Sequence, residues 1–262
     1  MLILGIESAT PVASVALVDD KGLLGESLLN VGLTHSEQLL PMIDDLLRQC
    51  RKSFNDITAI GVSAGPGSFT GLRIGMATAK GLAQGGGLEL FAIPTLEAMA
   101  YQMMGQPILV SPMQNARREQ IYTGLYRWRE EEIEESAADK EQAGQDLQKI
   151  FALRQRGKKE RMEAGVRHHH WVLDCLIPPM ASSPEAWSER LKEIGQSVCL
   201  LGDGVGMYKE IWQRDLCPLA KCLPPVLGLA RGSFVALAAA ERLHRGEKQD
   251  FYSMKPIYLR GI

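Results

Sequence analysis

The 262-residue chain has little of what several large function classes require. No run of 18 apolar residues occurs, so no helical membrane span is expected and a cytoplasmic location is. Its formal net charge is −2, which argues against a broad basic face that would grip nucleic acid unaided; any contact with RNA should depend on a partner. Five cysteines contain no Cys-x-x-Cys pair and are odd in number, so free thiols in a reducing compartment are expected rather than disulfides or a thiolate metal site. Aromatic residues make up only 6%. No Gly-Lys-Ser/Thr follows a glycine-rich turn, which excludes the P-loop pattern. Nor does any Ser/His/Asp or Cys/His arrangement suggest a nucleophile, so no catalytic residue is expected.

What is present is a chain 45% apolar, long enough for one large domain or two modest ones. Its centre is Ile57 to Ala83, read as strand, glycine turn and helix. Three glycines and a proline within Gly65-Pro66-Gly67-Ser68-Phe69-Thr70-Gly71 suit a tight turn, and Ser68 and Thr70 are placed to cap the helix that follows. Amides at such a helix start resemble a phosphate cradle. On that helix Gly71, Gly75, Ala79 and Ala83 recur every four residues, a row of little bulk that would let another helix approach.

Leu2–Ile6, Val12–Val18 and Leu23–Leu29 read as a three-stranded meander. Thr34 and Glu37 make a capping box. In the helix after it, Leu39, Leu40, Met42, Ile43, Leu46, Leu47 and Cys50 cover a wider arc than the roughly 100° stripe that one packing surface needs. Pro41 predicts a bend or a late helix start. His35 reads as capping-region structure rather than a metal ligand. Gly85-Gly86-Gly87 reads as a flexible turn, Leu88–Ile93 as a strand, and Thr95–Met104 as a helix with Thr95 its N-cap.

Pro107–Pro112 and Gln120–Tyr126 open a second half that could repeat the first. From 129 to 167 an acidic and then a basic stretch reads as a solvated insert rather than an RNA-contacting arm, and His168-His169-His170 as a loop. Trp171–Leu176, a helix at Pro184–Ile194, strand Val198–Leu201, the turn Gly202–Gly206 with a helix starting near Met207, and an alanine-rich helix at Leu229–His244 complete the order. The expected class is α/β with two halves, 1–105 and 106–262.

The glycine loop continuing through Leu72-Arg73-Ile74-Gly75, His35-Ser36 with Leu39-Leu40-Pro41-Met42-Ile43, and the closing Pro256 to Arg260 together resemble the TsaB (YeaZ) family. That resemblance implies an actin-like (ASKHA) fold of two RNase H-like halves, each a mixed sheet flanked by helices. It further implies a non-catalytic dimerisation subunit in the synthesis of threonylcarbamoyladenosine next to the tRNA anticodon. Implied partners are the catalytic TsaD subunit and the accessory ATPase TsaE, with tRNA reached only through the complex and a homodimer formed when the chain is alone. The interface is expected at Leu39, Met42, Ile43, Leu46, Leu72, Gly75, Met76 and Ala79.

By analogy with actin-like ATPases, Glu7, Ser8, Gly65, Gly67, Ser68 and Thr70 are candidate nucleotide or phosphate contacts, although no cofactor is required and ATP or ADP would bind weakly. An ordinary hairpin turn is the alternative for residues 7–10. A phosphotransferase that holds Mg-ATP between these residues and the Gly202–Gly206 turn is the competing function; a protease has no residue support. The resemblance also implies that TsaD carries two metal-binding histidines, four apart, where this chain has Thr95 and Met99, so no metal is expected. Two further departures are Glu7 in place of a usual aspartate and Asn115-Ala116-Arg117 in place of Asp-Ala-Arg.

Overall fold

The computed structural model describes residues 1–31, 35–132 and 169–259. The meander is present as β1 (Leu2–Glu7), β2 (Ala13–Asp19) and β3 (Gly22–Leu29), and after α1 (His35–Gln49) come β4 (Ala59–Gly65), α2 (Phe69–Gly86), β5 (Glu89–Pro94) and α3 (Thr95–Ala100). The second half repeats the plan with β6 (Leu109–Arg117), β7 (Gln120–Glu132), β8 (His169–Ser182), α4 (Pro184–Ile194), β9 (Val198–Leu201), α5 (Asp203–Met207), α6 (Lys209–Leu216), β10 (Ala220–Cys222) and α7 (Gly232–His244).

The two sheets have the same wiring. The first runs β3-β2-β1-β4-β5 and the second β8-β7-β6-β9-β10. In each, three antiparallel strands are followed by two parallel ones on the far side of the first strand. This internal duplication of a mixed sheet flanked by helices is the actin-like architecture. The expected division at 105/106 falls between the sheets, but α7 returns to the first one and packs on β1, β4 and β2.

Strand alternation sorts the core. Leu2, Leu4 and Ile6 face α1 and α2, whereas Ile3 points the opposite way into a layer shared with α7, Phe91, Tyr126 and Trp128. A third cluster around Trp187 and Trp212 fills the outer face of the second sheet. Gly5 and Gly61 explain how closely α7 lies: a Cβ on Gly5 would strike the Gly232 carbonyl, and one on Gly61 would meet Ala239 and the Val235 carbonyl. The start of α7 is capped from β2 and β3. Ser14 Oγ accepts from the Gly232 amide at 3.0 Å and Glu26 Oε1 accepts from the Ser233 amide at 3.1 Å, with Arg231 paired to Glu26 at 2.6 Å.

Several expectations are corrected. The glycines after Ala83 are not a flexible turn: α2 runs on to Gly86, and Gly87 closes it in the left-handed conformation, donating to the Ala83 carbonyl. α1 begins at His35 and passes through Pro41, which is exposed; the Thr34 capping residue lies outside the described residues. The insert starts later than composition suggests. β7 continues through Glu130 and Glu131 to Glu132, whose backbone pairs with that of His169 on β8, so two of the three histidines belong to a strand. Local charge is compatible with an exposed two-stranded ribbon, and here Arg129 bonds Asp174 across it and Glu131 along its own strand. Residues 133–168, with the remaining insert and His168, lie outside the described residues. α3 is shorter than read, ending at Ala100, and the helix after β9 starts at Asp203 rather than near Met207.

Candidate functional site

The glycine loop joins β4 to α2 at the carboxyl end of the parallel strands, where α/β sheets place their sites. Gly65 has φ of 113°, and a Cβ there would strike the Ile257 carbonyl. Gly67 and Gly71 sit as tightly on the Ala9 and Ser8 carbonyls. The loop is therefore stitched to the β1–β2 turn and to the closing segment of the chain. Its Gly65 amide donates to Thr95 Oγ1 at 3.1 Å, and its Ser68 amide to the Ala9 carbonyl at 2.7 Å. Ser68 Oγ caps the Gly71 amide at 3.2 Å, as its position suggests, while Thr70 is exposed within the helix.

Glu7 and Ser8, adjacent in sequence, diverge across the sheet. Ser8 turns toward α2, where Gly75 has no room for a Cβ because Ser8 Oγ occupies it. Glu7 turns toward the face that carries α7. Both are buried, and both Glu7 Oε2 and Ser8 Oγ lack a hydrogen-bond partner. Glu7 Oε1 accepts from the Ala9 amide at 2.7 Å. Burial pushes the Glu7 carboxyl from 4.5 up to about 7, against the opposing pull of donors at Ala9, Ser63 and Thr10. Ser63 Oγ also accepts from the Ser8 amide at 3.1 Å. The sequence reading missed Ser63, which serves the Ser8 amide from β4, and Ile257, which closes over Gly65 from a segment distant in the chain; no local pattern announces either contact.

In the small-residue row on α2, Gly71 and Gly75 lie against Ser8, and α2 also packs on α1. Leu39, Met42, Ile43, Leu46, Leu72, Met76 and Ala79 are all 5% exposed or less, and Gly75 is buried with them. The surplus apolar width of α1 is used inside the chain, because α1 packs on β2 and β3 and also on α2. These residues therefore cannot be the contact surface as they stand. The outward faces carry Leu40, which is 54% exposed, Phe69, Arg73 and Ala77. Arg73 stacks over the Phe69 ring at 3.8 Å, and Tyr258 accepts from Arg73 Nε at 3.2 Å.

Thr95 and Met99 are buried at 0% and 2%. Thr95 is the first residue of α3 rather than its N-cap, and its hydroxyl serves the glycine loop. Met99 extends its methyl toward Gly202, which itself lies against the Met113 carbonyl. A hydroxyl already in use and a thioether do not suit a hard metal ion. Among the described residues no group of three or more His, Cys, Asp and Glu is placed to hold a metal, and no helix is long and apolar enough to cross a membrane.

A family model described as TsaD, tRNA N6-adenosine threonylcarbamoyltransferase, matches residues 30–260. The tRNA threonylcarbamoyladenosine biosynthesis protein TsaB of Bacillus subtilis is 34% identical over 99% of this chain and 94% of its own length. The Escherichia coli protein of the same name is 36% identical over 51% of this chain and 61% of its own. A solved Pseudomonas aeruginosa structure described as similar to peptidase YEAZ matches with a TM-score of 0.70 at 22% identity, over 99% of both chains, which speaks to the fold alone. With its duplicated sheets, stitched glycine loop and full-length similarity, the chain belongs to the family that the TsaD model describes and, within it, to the TsaB tRNA threonylcarbamoyladenosine biosynthesis proteins.

Proposed function

We infer that this chain serves threonylcarbamoyladenosine synthesis on tRNA as a non-catalytic subunit that binds the catalytic TsaD subunit. The observation that carries the reading is the state of Thr95 and Met99. At the positions where TsaD is expected to carry its metal-binding histidines, this chain has one side chain hydrogen-bonded into the glycine loop and one packed against Gly202. The partner surface on this reading is the outward side of α1 and α2 around Leu40, Phe69, Arg73 and Ala77, and the same surface self-pairs when TsaD is absent. The accessory ATPase TsaE and tRNA join through the assembled complex.

Reconstitution tests this. Purified chain, cognate TsaD, TsaE, threonylcarbamoyl-adenylate and tRNA are combined, and each is omitted in turn. Omitting this chain should abolish modification, and this chain without TsaD should give none. Modification by this chain alone overturns the reading.

A second reading, nucleotide binding with a regulatory role, is favoured by one observation: the buried Glu7 carboxyl, with a partnerless Oε2, accepts from the amide of Ala9, against which Gly67 of the glycine loop lies. Against it, the Gly65 and Ser68 amides are already committed to acceptors within the chain. Calorimetry with ATP and Mg²⁺ on the isolated chain separates the two, since tight binding would favour this second reading.

A further inference from the structure

The β6–β7 hairpin turns through Arg117, Arg118 and Glu119, three successive non-glycine residues with φ of 59°, 51° and 57°. L-residues avoid this left-handed region because Cβ crowds the backbone, and two-residue hairpin turns of this hand are ordinarily Asn-Gly. Elsewhere among the described residues, left-handed backbone falls on glycine, Arg51 apart. The fold's own requirement at this turn would be better met by other residues. Strain of this kind points to side chains retained for another purpose.

Those side chains are two guanidinium groups on a braced support. Arg117 pairs with Gln120 across the hairpin, after a bulge that follows Asn115. The Arg117 amide donates to Asn115 Oδ1 at 2.8 Å, and the Asn115 amide to Asp203 Oδ1 at 3.1 Å, which ties the hairpin to the start of α5. The Asn115 side-chain oxygen thus accepts from the Arg117 amide as an aspartate's could, and no ion pair with the Arg117 side chain is needed. Arg117 and Arg118 are exposed, and neither has an ion-pair partner among the described residues. Arg48, Arg129, Arg214, Arg231, Arg242 and Arg245 are paired, and the exposed arginines without an ion pair among the described residues include Arg51 and Arg127, each without a second such arginine beside it.

We propose that Arg117 and Arg118 form a phosphodiester grip, by which this chain holds backbone phosphates of the tRNA once it stands in the complex. The proposal rests on the tRNA-modifying role inferred above. Guanidinium forks match phosphate oxygens in pairs, and a rigid turn presents them with little left to order. With a net charge of −2 the chain has no broad field to attract RNA by itself, so two phosphates held at a braced tip suit a subunit that meets tRNA only beside a partner.

The test is tRNA binding by the assembled complex over a salt series from about 50 to 200 mM, with subunits in saturating excess. In the Arg117→Ala, Arg118→Ala double variant the slope of log affinity against log salt should fall by between 1 and 2, about one for each lost phosphate contact, and affinity should fall about tenfold at the lower salt. A second variant, Arg118→Asn with Glu119→Gly, restores the residues the turn prefers. It should melt about 2 °C or more above the wild type yet lose about one in slope. An unchanged slope and affinity in both variants overturn the grip. So does weakened subunit assembly with tRNA affinity intact, which would place the arginines against an acidic protein surface. Failure of the underlying role is read separately: it appears when omission of the whole chain leaves modification unaffected.

Discussion

Replacing Glu7 by glutamine should make the protein more stable at alkaline pH and no different at acidic pH. The carboxyl is buried with one oxygen unpartnered, and burial raises it from 4.5 to about 7. In the unfolded chain it ionises near 4.5, so between these values the folded protein keeps a proton that the unfolded chain releases. Stability therefore falls as pH rises through that window, and the full penalty is present only above about 7. At about 1.4 kcal/mol for each pH unit, the cost of burying the charged form is about 3 kcal/mol. Glutamine retains an oxygen for the Ala9 amide and cannot ionise, so it should recover most of that amount at pH 8.5 and almost none at pH 4. Urea denaturation of both proteins across this range measures the difference directly, because all other titrating groups cancel. A gap that is the same at pH 4 and pH 8.5 would refute the reasoning, since it would mean that the carboxylate is solvated or paired.

Gly5→Ala should cost about 1–3 kcal/mol, because the new methyl meets the Gly232 carbonyl and Ala236 and forces α7 from β1; thermal melting reports it. Thr95→Val should cost about 1–3 kcal/mol by leaving the buried Gly65 amide without its acceptor, and proteolysis should cut the glycine loop faster in that variant. Leu46→Arg and Met76→Glu should unfold the protein rather than merely separate subunits, since both side chains are 5% exposed or less. Leu40→Arg with Ala77→Arg should instead weaken pull-down of TsaD by tenfold or more while leaving the melting temperature within about 1 °C, and an unchanged pull-down would remove the outer α1–α2 face as the partner surface.

The sequence makes the order of elements legible because strand and helix periods are local properties, and β1 to β5 lie within a residue or two of where alternation and turns put them. Residue types in the glycine loop likewise announce its sharp turn. What periodicity could not supply is what each face meets. The broad apolar arc of α1 looks like a face left over for a partner, yet a helix wedged between a sheet and a second helix of its own chain needs the same arc. Glu7 and Ser8 read as one constellation because they are neighbours, but in a strand neighbours point to opposite sides. The ends of β7 and β8 were obscured for another reason: a two-stranded ribbon with both faces wet carries charge where a core strand would carry valine. Ile257, which closes over Gly65 from nearly two hundred residues away, leaves no trace in local pattern.

The return of α7 across β1 and β4 has a consequence for how the polypeptide can be made. The Gly232 amide reaches Ser14 across 218 positions of sequence, and the alanines behind it are the lid of the first sheet. During synthesis that sheet can be paired and covered on the α1 and α2 side while its other surface stays wet until residue 244 has left the ribosome. A gene cut at residue 106 would consequently yield two fragments, one roofless and one with an orphaned helix, and only their co-expression could rebuild the whole.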